Sequence, residues 1–314
     1  MKPPNSNHQS PPSNLQPSIF NHQSPIPNLQ SPPVDLQSAS FTFSQNSLQA
    51  YVDCPRRFQL RYLFRLTWPA PEAQPILEHE EHLQRGQAFH KLIQQFLIGM
   101  TPQRLDQFAS SDPLLAQWWR DFMSENPIPE ASTRYAEINL SLPIGKHRIA
   151  ARYDLLAVAD QATLIFDWKT NQYYPKKETI QGKLQSRVYP FVLIEAGKIL
   201  NQGKNIDPSQ VEMIYWFSNY PDSPIHSRYD HEKYEQDRMY LSKMVDTISS
   251  LEQDGFPRTK NLDHCRYCVY RSFCDRGKEA GSVEDLEAVY ALEGGLVEDI
   301  DLELDLDQIA EIEF

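Results

Sequence analysis

The chain has 314 residues, 40% of them hydrophobic, enough for one large domain or two small ones. Its net charge of −12 is local: residues 283–314 carry twelve Asp or Glu and no Lys or Arg, and without them 30 acidic residues balance 30 basic ones. A neutral body leaves room for a local basic groove. No apolar run approaches the ~18 residues of a membrane span. Met1-Lys2-Pro3-Pro4 leads into polar sequence without the apolar core of a secretory signal. The expectation is a cytoplasmic protein away from membranes. Thiols stay reduced there, so four cysteines are better read as metal ligands or redox groups than as two disulfides.

Residues 1–40 hold nine of the 24 prolines, and "NHQSP" and "NLQ" each recur with a shift of 14 residues. Such a segment cannot bury enough apolar area to offset its ordering entropy, which predicts a disordered leader. Order is expected near Phe41. Ser44 or Ser47 can cap a helix carrying Leu48, Tyr51, Cys54, Phe58 and Tyr62. A second helix is expected from about Arg85 to Ile98, and a third around Leu114, Trp118, Trp119 and Phe122. The period then changes to strand alternation at Tyr135–Leu140 and His147–Ala157, with a short apolar strand over Thr163–Trp168. A helix over about 179–196, a strand over 211–217 and a helix over about 231–253 complete the pattern. Helices flanking a mixed sheet indicate an α/β or α+β domain over 41–280, followed by an acidic tail over 281–314. That tail alternates acid and aliphatic residues; it is read as solubilising, or as competing with ligands for a basic surface.

Phe166-Asp167-Trp168-Lys169 carries the clearest chemistry. Positions i and i+2 of a strand share a face, so Asp167 and Lys169 project together. A hairpin through "VADQAT" at 158–163 would set Asp154 beside Asp167. Two carboxylates suit Mg²⁺, and a lysine beside them suits orienting an attacking water. An isolated D-x-K is more often a surface ion pair on a strand edge. The neighbouring sequence adds weight. Gly86-Gln-Ala-Phe-His90 places a histidine on the second helix, Glu137 is an acidic strand residue, and Gln185 and Tyr189 share a helix face.

G-x-x-x-H, an acidic strand residue, D, D-x-K and Q-x-x-x-Y, in that order, resemble the PD-(D/E)XK nuclease superfamily. The likeness is to its branch with the RecB and AddB nuclease domains and the CRISPR adaptation nuclease. "FSQNSLQAYVDCPRRFQLRYL" resembles that branch's opening helix, with Tyr51, Cys54, Pro55, Phe58 and Tyr62 in place. The resemblance spans about 41–276; Ala151 departs from it, where the family often has glycine.

The resemblance implies a restriction-endonuclease-like core and metal-dependent cleavage of nucleic acid. It implies that His90, Asp154 and Asp167 hold Mg²⁺ or Mn²⁺, with the Trp168 carbonyl and Glu137 as further positions. Lys169 would be the catalytic lysine, acting with Asp154 and Asp167, and Gln185 and Tyr189 would lie along the nucleic acid. Arg57, Arg61 and Arg65 recur every four residues, as a solvated helix face or as phosphate contacts.

Cys54 stands alone, whereas Cys265, Cys268 and Cys274 fall within ten residues. Their spacing leaves a Cys₄ zinc site and a [4Fe–4S] cluster equally open. The resemblance favours the cluster, stapling the N- and C-terminal segments. No phosphate-binding G-x-x-x-x-G-K-[ST] loop is present, so any helicase motor comes from another chain. The expected function is an Mg²⁺- or Mn²⁺-dependent deoxyribonuclease acting on single strands or ends, in DNA repair, recombination or related processing. The alternative is a non-catalytic, cluster-stapled DNA-binding subunit of a repair or CRISPR adaptation complex.

Overall fold

The computed structural model describes residues 33–66, 74–129, 133–159, 161–266 and 268–277. Residues 1–32 and the acidic tail from 278 onward lie outside the described residues. Packing begins ahead of Phe41. Leu36 is buried, and the Val34 N–H donates to the Leu63 carbonyl at 2.9 Å.

β1 (Thr42–Phe43) leads into α1 (Gln45–Asp53). Ser44 is the N-cap. Its hydroxyl accepts from the Ser47 N–H at 3.1 Å, and the Ser47 hydroxyl accepts from the Ser44 N–H at 2.9 Å. This reciprocal cap satisfies two donors that the first helical turn leaves open. The single helix expected here is broken at Cys54, whose φ of −161° is extended. Pro55 disfavours helical geometry in the residue before it but fits the first position of a new helix. α2 (Pro55–Phe58) therefore starts afresh and widens into a π-helical turn, Gln59–Leu63. Arg65 then turns away with φ +50°, so the Arg57–Arg61–Arg65 stripe is not a continuous helix face.

α3 (Gln74–Leu97) begins earlier than expected, and α4 (Pro102–Ala109) and α5 (Pro113–Glu125) follow. Next come β2 (Thr133–Ile144), β3 (His147–Ala159) and β4 (Ala162–Lys169). The helix expected over 179–196 is split into α6 (Lys177–Gly182) and α7 (Gln185–Ala196) by an extended Lys183. β5 (Val211–Phe217), β6 (Tyr220–Arg228), α8 (His231–Ser250) and α9 (Asp263–Arg266) follow among the described residues. β6 is an addition to the expected elements, and it holds Pro221 and Pro224. It lies at the sheet edge, where a missing N–H costs no ladder bond.

The sheet is mixed. β2 runs antiparallel along β3. β3 meets β1 in parallel at its start and β4 antiparallel at its end, and β5 and β6 follow. β4 and β5 are parallel, joined by a crossover through α6 and α7. Helices cover both faces. One apolar layer joins residues of α1, α7 and α8 to Tyr153, Leu156, Ile165 and Tyr215. The other joins α3, α4 and α5 to Leu155, Phe166, Trp168 and Trp216. This is an α/β fold of the kind expected for a restriction-endonuclease-like core. None of the described helices is long and apolar enough to cross a membrane.

Candidate active site

The β3–β4 pairing sets Leu155 against Phe166, so Asp154 and Asp167 stand next to each other on neighbouring strands. β3 itself is irregular at this point. Ile149, Ala151 and Tyr153 face the α7 layer, yet beyond Asp154 it is Leu156 that faces this layer, while Leu155 and Ala157 face the other. The alternation slips by one residue at Asp154. Across on β2, Glu137 has φ +52°, a left-handed conformation unusual for a residue with a side chain. Glu137 stands opposite Asp154, between the Ala136–Leu155 and Ile138–Tyr153 pairs, so the cross-strand register sets the two carboxylates side by side and the dislocation falls on this same pair.

Each carboxylate has fixed partners. Asp154 Oδ2 accepts the Trp168 N–H at 2.8 Å, and its Oδ1 lies 3.3 Å from His90 Nδ1. Asp167 is buried; its Oδ1 accepts from Gln185 Nε2 at 2.5 Å, and its Oδ2 lies 3.0 Å from Lys169 Nζ. Glu137 Oε2 takes both the Nε and a terminal nitrogen of Arg152 at 2.9 Å.

The electrostatics drive these groups apart. Burial works to raise the Asp154 carboxyl, but the charge and hydrogen bond of His90, the Trp168 N–H and Lys169 outweigh it and hold Asp154 below the usual range. Burial pushes Asp167 up, reinforced by the charge of Asp154 against the opposing pull of Lys169 and His90. Glu137 is also raised, first by burial and then by Asp154. Burial disfavours the His90 imidazolium, yet Asp154, Asp167 and Glu137 together lift it to about 9. Such a surplus of convergent carboxylates is what a cation would relieve.

Donor atoms of His90, Glu137 and Asp154 all lie within 4.8 Å of one another. One imidazole and two carboxylates suit a hard divalent ion, so the residues present fit the metal expected from sequence. Asp167 is the adjoining carboxylate rather than a member of this trio.

Three contributors carried no signal that sequence reasoning used. Arg152 braces the strained Glu137. Thr170 meets α3 at Gly86, where a Cβ would sit 2.9 Å from Thr170 Oγ1, so glycine permits the approach that sets His90 one turn later. His82 Nε2 lies 2.8 Å from the Thr170 carbonyl and makes a second tie between α3 and the end of β4.

The remaining expected residues sit around this centre. Tyr189 is buried one turn beyond Gln185, its carbonyl accepting from Tyr153 Oη at 2.9 Å. Arg57 pairs with Asp53 at 2.5 Å, and the Arg61 guanidinium lies 5.5 Å from the Tyr62 ring centre. Cys54 comes close to the C-terminal segment, where the Thr259 N–H points at its sulfur from 3.5 Å. Burial raises the thiols of Cys265 and Cys268 and pushes Cys274 up to about 11, and the neighbouring Cys54 adds to all three.

Two solved structures illustrate the level of likeness to known folds. The protein SSO0001 is 12% identical, with a TM-score of 0.35 over 75% of this chain and 86% of that one. A candidate exonuclease from Eubacterium rectale is 12% identical, with a TM-score of 0.43 over 88% of this chain and 99% of that one. Likeness at this level carries no argument about activity. No curated protein matches the chain. The family model described as the PD-(D/E)XK nuclease superfamily matches residues 42–275, which takes in every residue of the site described above. The chain belongs to the PD-(D/E)XK nuclease superfamily.

Proposed function

We propose that this nuclease is an Mg²⁺- or Mn²⁺-dependent deoxyribonuclease that hydrolyses phosphodiester bonds at ends or in single strands. The observation that carries the reading is the meeting of His90, Glu137 and Asp154 beside the Asp167–Lys169 pair. His90, Asp154 and Asp167 would hold the metal, with Glu137 as an additional carboxylate and the Trp168 carbonyl as a further ligand. A bound divalent cation neutralises charge on the scissile phosphate. Lys169 orients the attacking water and offsets the negative charge that builds on the phosphoryl oxygens. Gln185 fixes Asp167, and Lys169 is held by the same carboxylate. Gln185 and Tyr189 line the path of the strand, with Arg57 and Arg61 as outlying phosphate contacts.

The four cysteines form a second metal centre, a [4Fe–4S] cluster in this reading, with zinc as the alternative occupant. What supports it is the meeting of the opening helices with the C-terminal segment. The Arg56 N–H donates to the Pro257 carbonyl at 3.1 Å, Tyr270 Oη to the Leu66 carbonyl at 2.7 Å, and Arg258 to the Cys274 carbonyl at 2.5 Å. Cys54 sits within this junction. A role in repair, recombination or related DNA processing, with a helicase or other subunit on a separate chain, fits a nuclease without a motor.

The test uses single-stranded and duplex DNA labelled at either end, with Mg²⁺, Mn²⁺ or a chelator. Metal-dependent, end-biased release of label is expected. Metal-independent cleavage, or cleavage of RNA alone, would refute the reading.

A further inference from the structure

The seven residues between β4 and α6 read "TNQYYPK", and they leave the catalytic strand directly after Lys169. Most of this loop is pinned. Thr170, Asn171 and Pro175 are buried, Asn219 Nδ2 donates to the Asn171 carbonyl at 2.8 Å, and Tyr220 Oη donates to the Gln172 carbonyl at 3.0 Å. Yet this anchored backbone presents two large rings to solvent: Tyr173 is 39% exposed and Tyr174 is 42% exposed. Lys176 and Lys177 follow, both exposed.

The register places these rings. Lys169 pairs with Phe217 across the parallel β4–β5 ladder, so the two side chains leave the same face of the sheet. The Tyr174 ring centre lies 5.3 Å from that of Phe217 and 5.3 Å from that of Tyr220, both at an edge-to-face angle. Tyr174 is therefore held about one strand away from the column of Lys169. Tyr173 is four residues from Lys169, a reach of at most ~14 Å. Beyond the loop, a cleft of about 450 Å³ is lined by Lys177, Gln181, Glu212, His226, Arg228 and Lys233. Glu212 offsets part of its charge through His226 at 3.1 Å and Arg228 at 3.7 Å.

Exposed rings on a rigid backbone, flanked by lysines and beside the cleavage centre, have the chemistry that single strands need. A base offers a π-face to stack, which a duplex keeps inside its own column, and the backbone offers phosphates to the lysines. We propose that Tyr173 and Tyr174, with Lys176 and Lys177, form a stacking platform that holds a single DNA strand beside Lys169 and leads it into the Lys177–Arg228–Lys233 cleft. This inference deepens the deoxyribonuclease reading and rests on it for the position of the scissile phosphate. It adds the specificity element that favours single strands.

Tyr173 is the test position, because Tyr174 also packs on Phe217 and Tyr220. Kinetics are measured on single-stranded and blunt duplex DNA, and binding by the fluorescence of single strands carrying 2-aminopurine. Tyr173→Ala should raise KM for the single strand about tenfold with kcat retained, and should weaken the 2-aminopurine response. Tyr173→Trp should restore both, and the duplex KM should change little. Lys176→Ala and Lys177→Ala should each lower the salt dependence of single-strand binding by about 0.7 in log–log slope, whereas Tyr173→Ala should leave that slope unchanged. Unchanged KM and fluorescence in Tyr173→Ala, a loss that Trp does not repair, or tighter Tyr173-dependent binding of the matching RNA would overturn the proposal. Wild-type protein that binds and perturbs 2-aminopurine without cutting would sink the deoxyribonuclease reading and leave the platform standing.

Discussion

His90 is a helical histidine whose surroundings, not its own chemistry, set its behaviour. Three carboxylates hold its imidazolium up to about 9 in the metal-free protein, against an ordinary value of about 6.5. A group raised on folding stabilises the folded state fully below the ordinary value, and that contribution disappears as pH rises through the folded value. In metal-free protein, the loss of thermal stability caused by His90→Gln should therefore be largest near pH 6 and fade by about pH 10. A difference that grows with pH over this interval would contradict the assignment. Gly86 acts by subtraction. A methyl group there meets Thr170 Oγ1 at 2.9 Å, so Gly86→Ala should shift α3 and lower kcat severalfold. Thr170→Ala in the same chain should recover most of the loss, because it removes the atom that the new Cβ meets. Equal rates for Gly86→Ala and wild type would show that the approach of α3 has slack.

At the scale of elements, the sequence was most legible where one strand or one helix turn suffices. Asp167 and Lys169 two apart on a strand, and the hairpin that sets Asp154 against Asp167, follow from a period of two and a short turn. Glu137 was visible as an acidic strand residue, and the β2–β3 register sets it opposite Asp154, but the left-handed backbone it adopts there is not encoded in the alternation. The helix break at Cys54 was written in Pro55, yet the apolar spacing of Leu48, Tyr51, Phe58 and Tyr62 reads straight through it. That break matters, because it leaves Cys54 at a corner facing Thr259 rather than on a helix flank. If one cluster joins this corner to the C-terminal segment, Cys54→Ala and Cys268→Ala should lower the melting temperature by similar amounts despite their distance in sequence. Protein purified without oxygen should be brown and hold iron and sulfide. Zinc without iron would reassign the occupant, and a silent Cys54→Ala beside a damaging Cys268→Ala would break the staple itself.

For the whole molecule, the two apolar layers divide the work. The layer under α3 and α5 sets His90 at the sheet, and the layer under α7 sets Gln185 on Asp167. The site is thus a seam between layers, closed at the point where β3 changes its alternation. Residues from α3, β2, β3, β4 and α7 meet there, which no local window of sequence could display. They should also fail together, since groups acting as one unit give losses that do not add. The direct measurement is metal-dependent cleavage of single-stranded DNA by wild type, Asp154→Ala, Asp167→Ala, Lys169→Ala and the triple variant, each checked for an unchanged circular dichroism spectrum. We expect Mn²⁺- or Mg²⁺-dependent cleavage by wild type, with every single variant reduced by about a thousandfold or more and the triple variant no worse than the singles. Near-normal turnover by folded Lys169→Ala or Asp167→Ala protein would contradict the account.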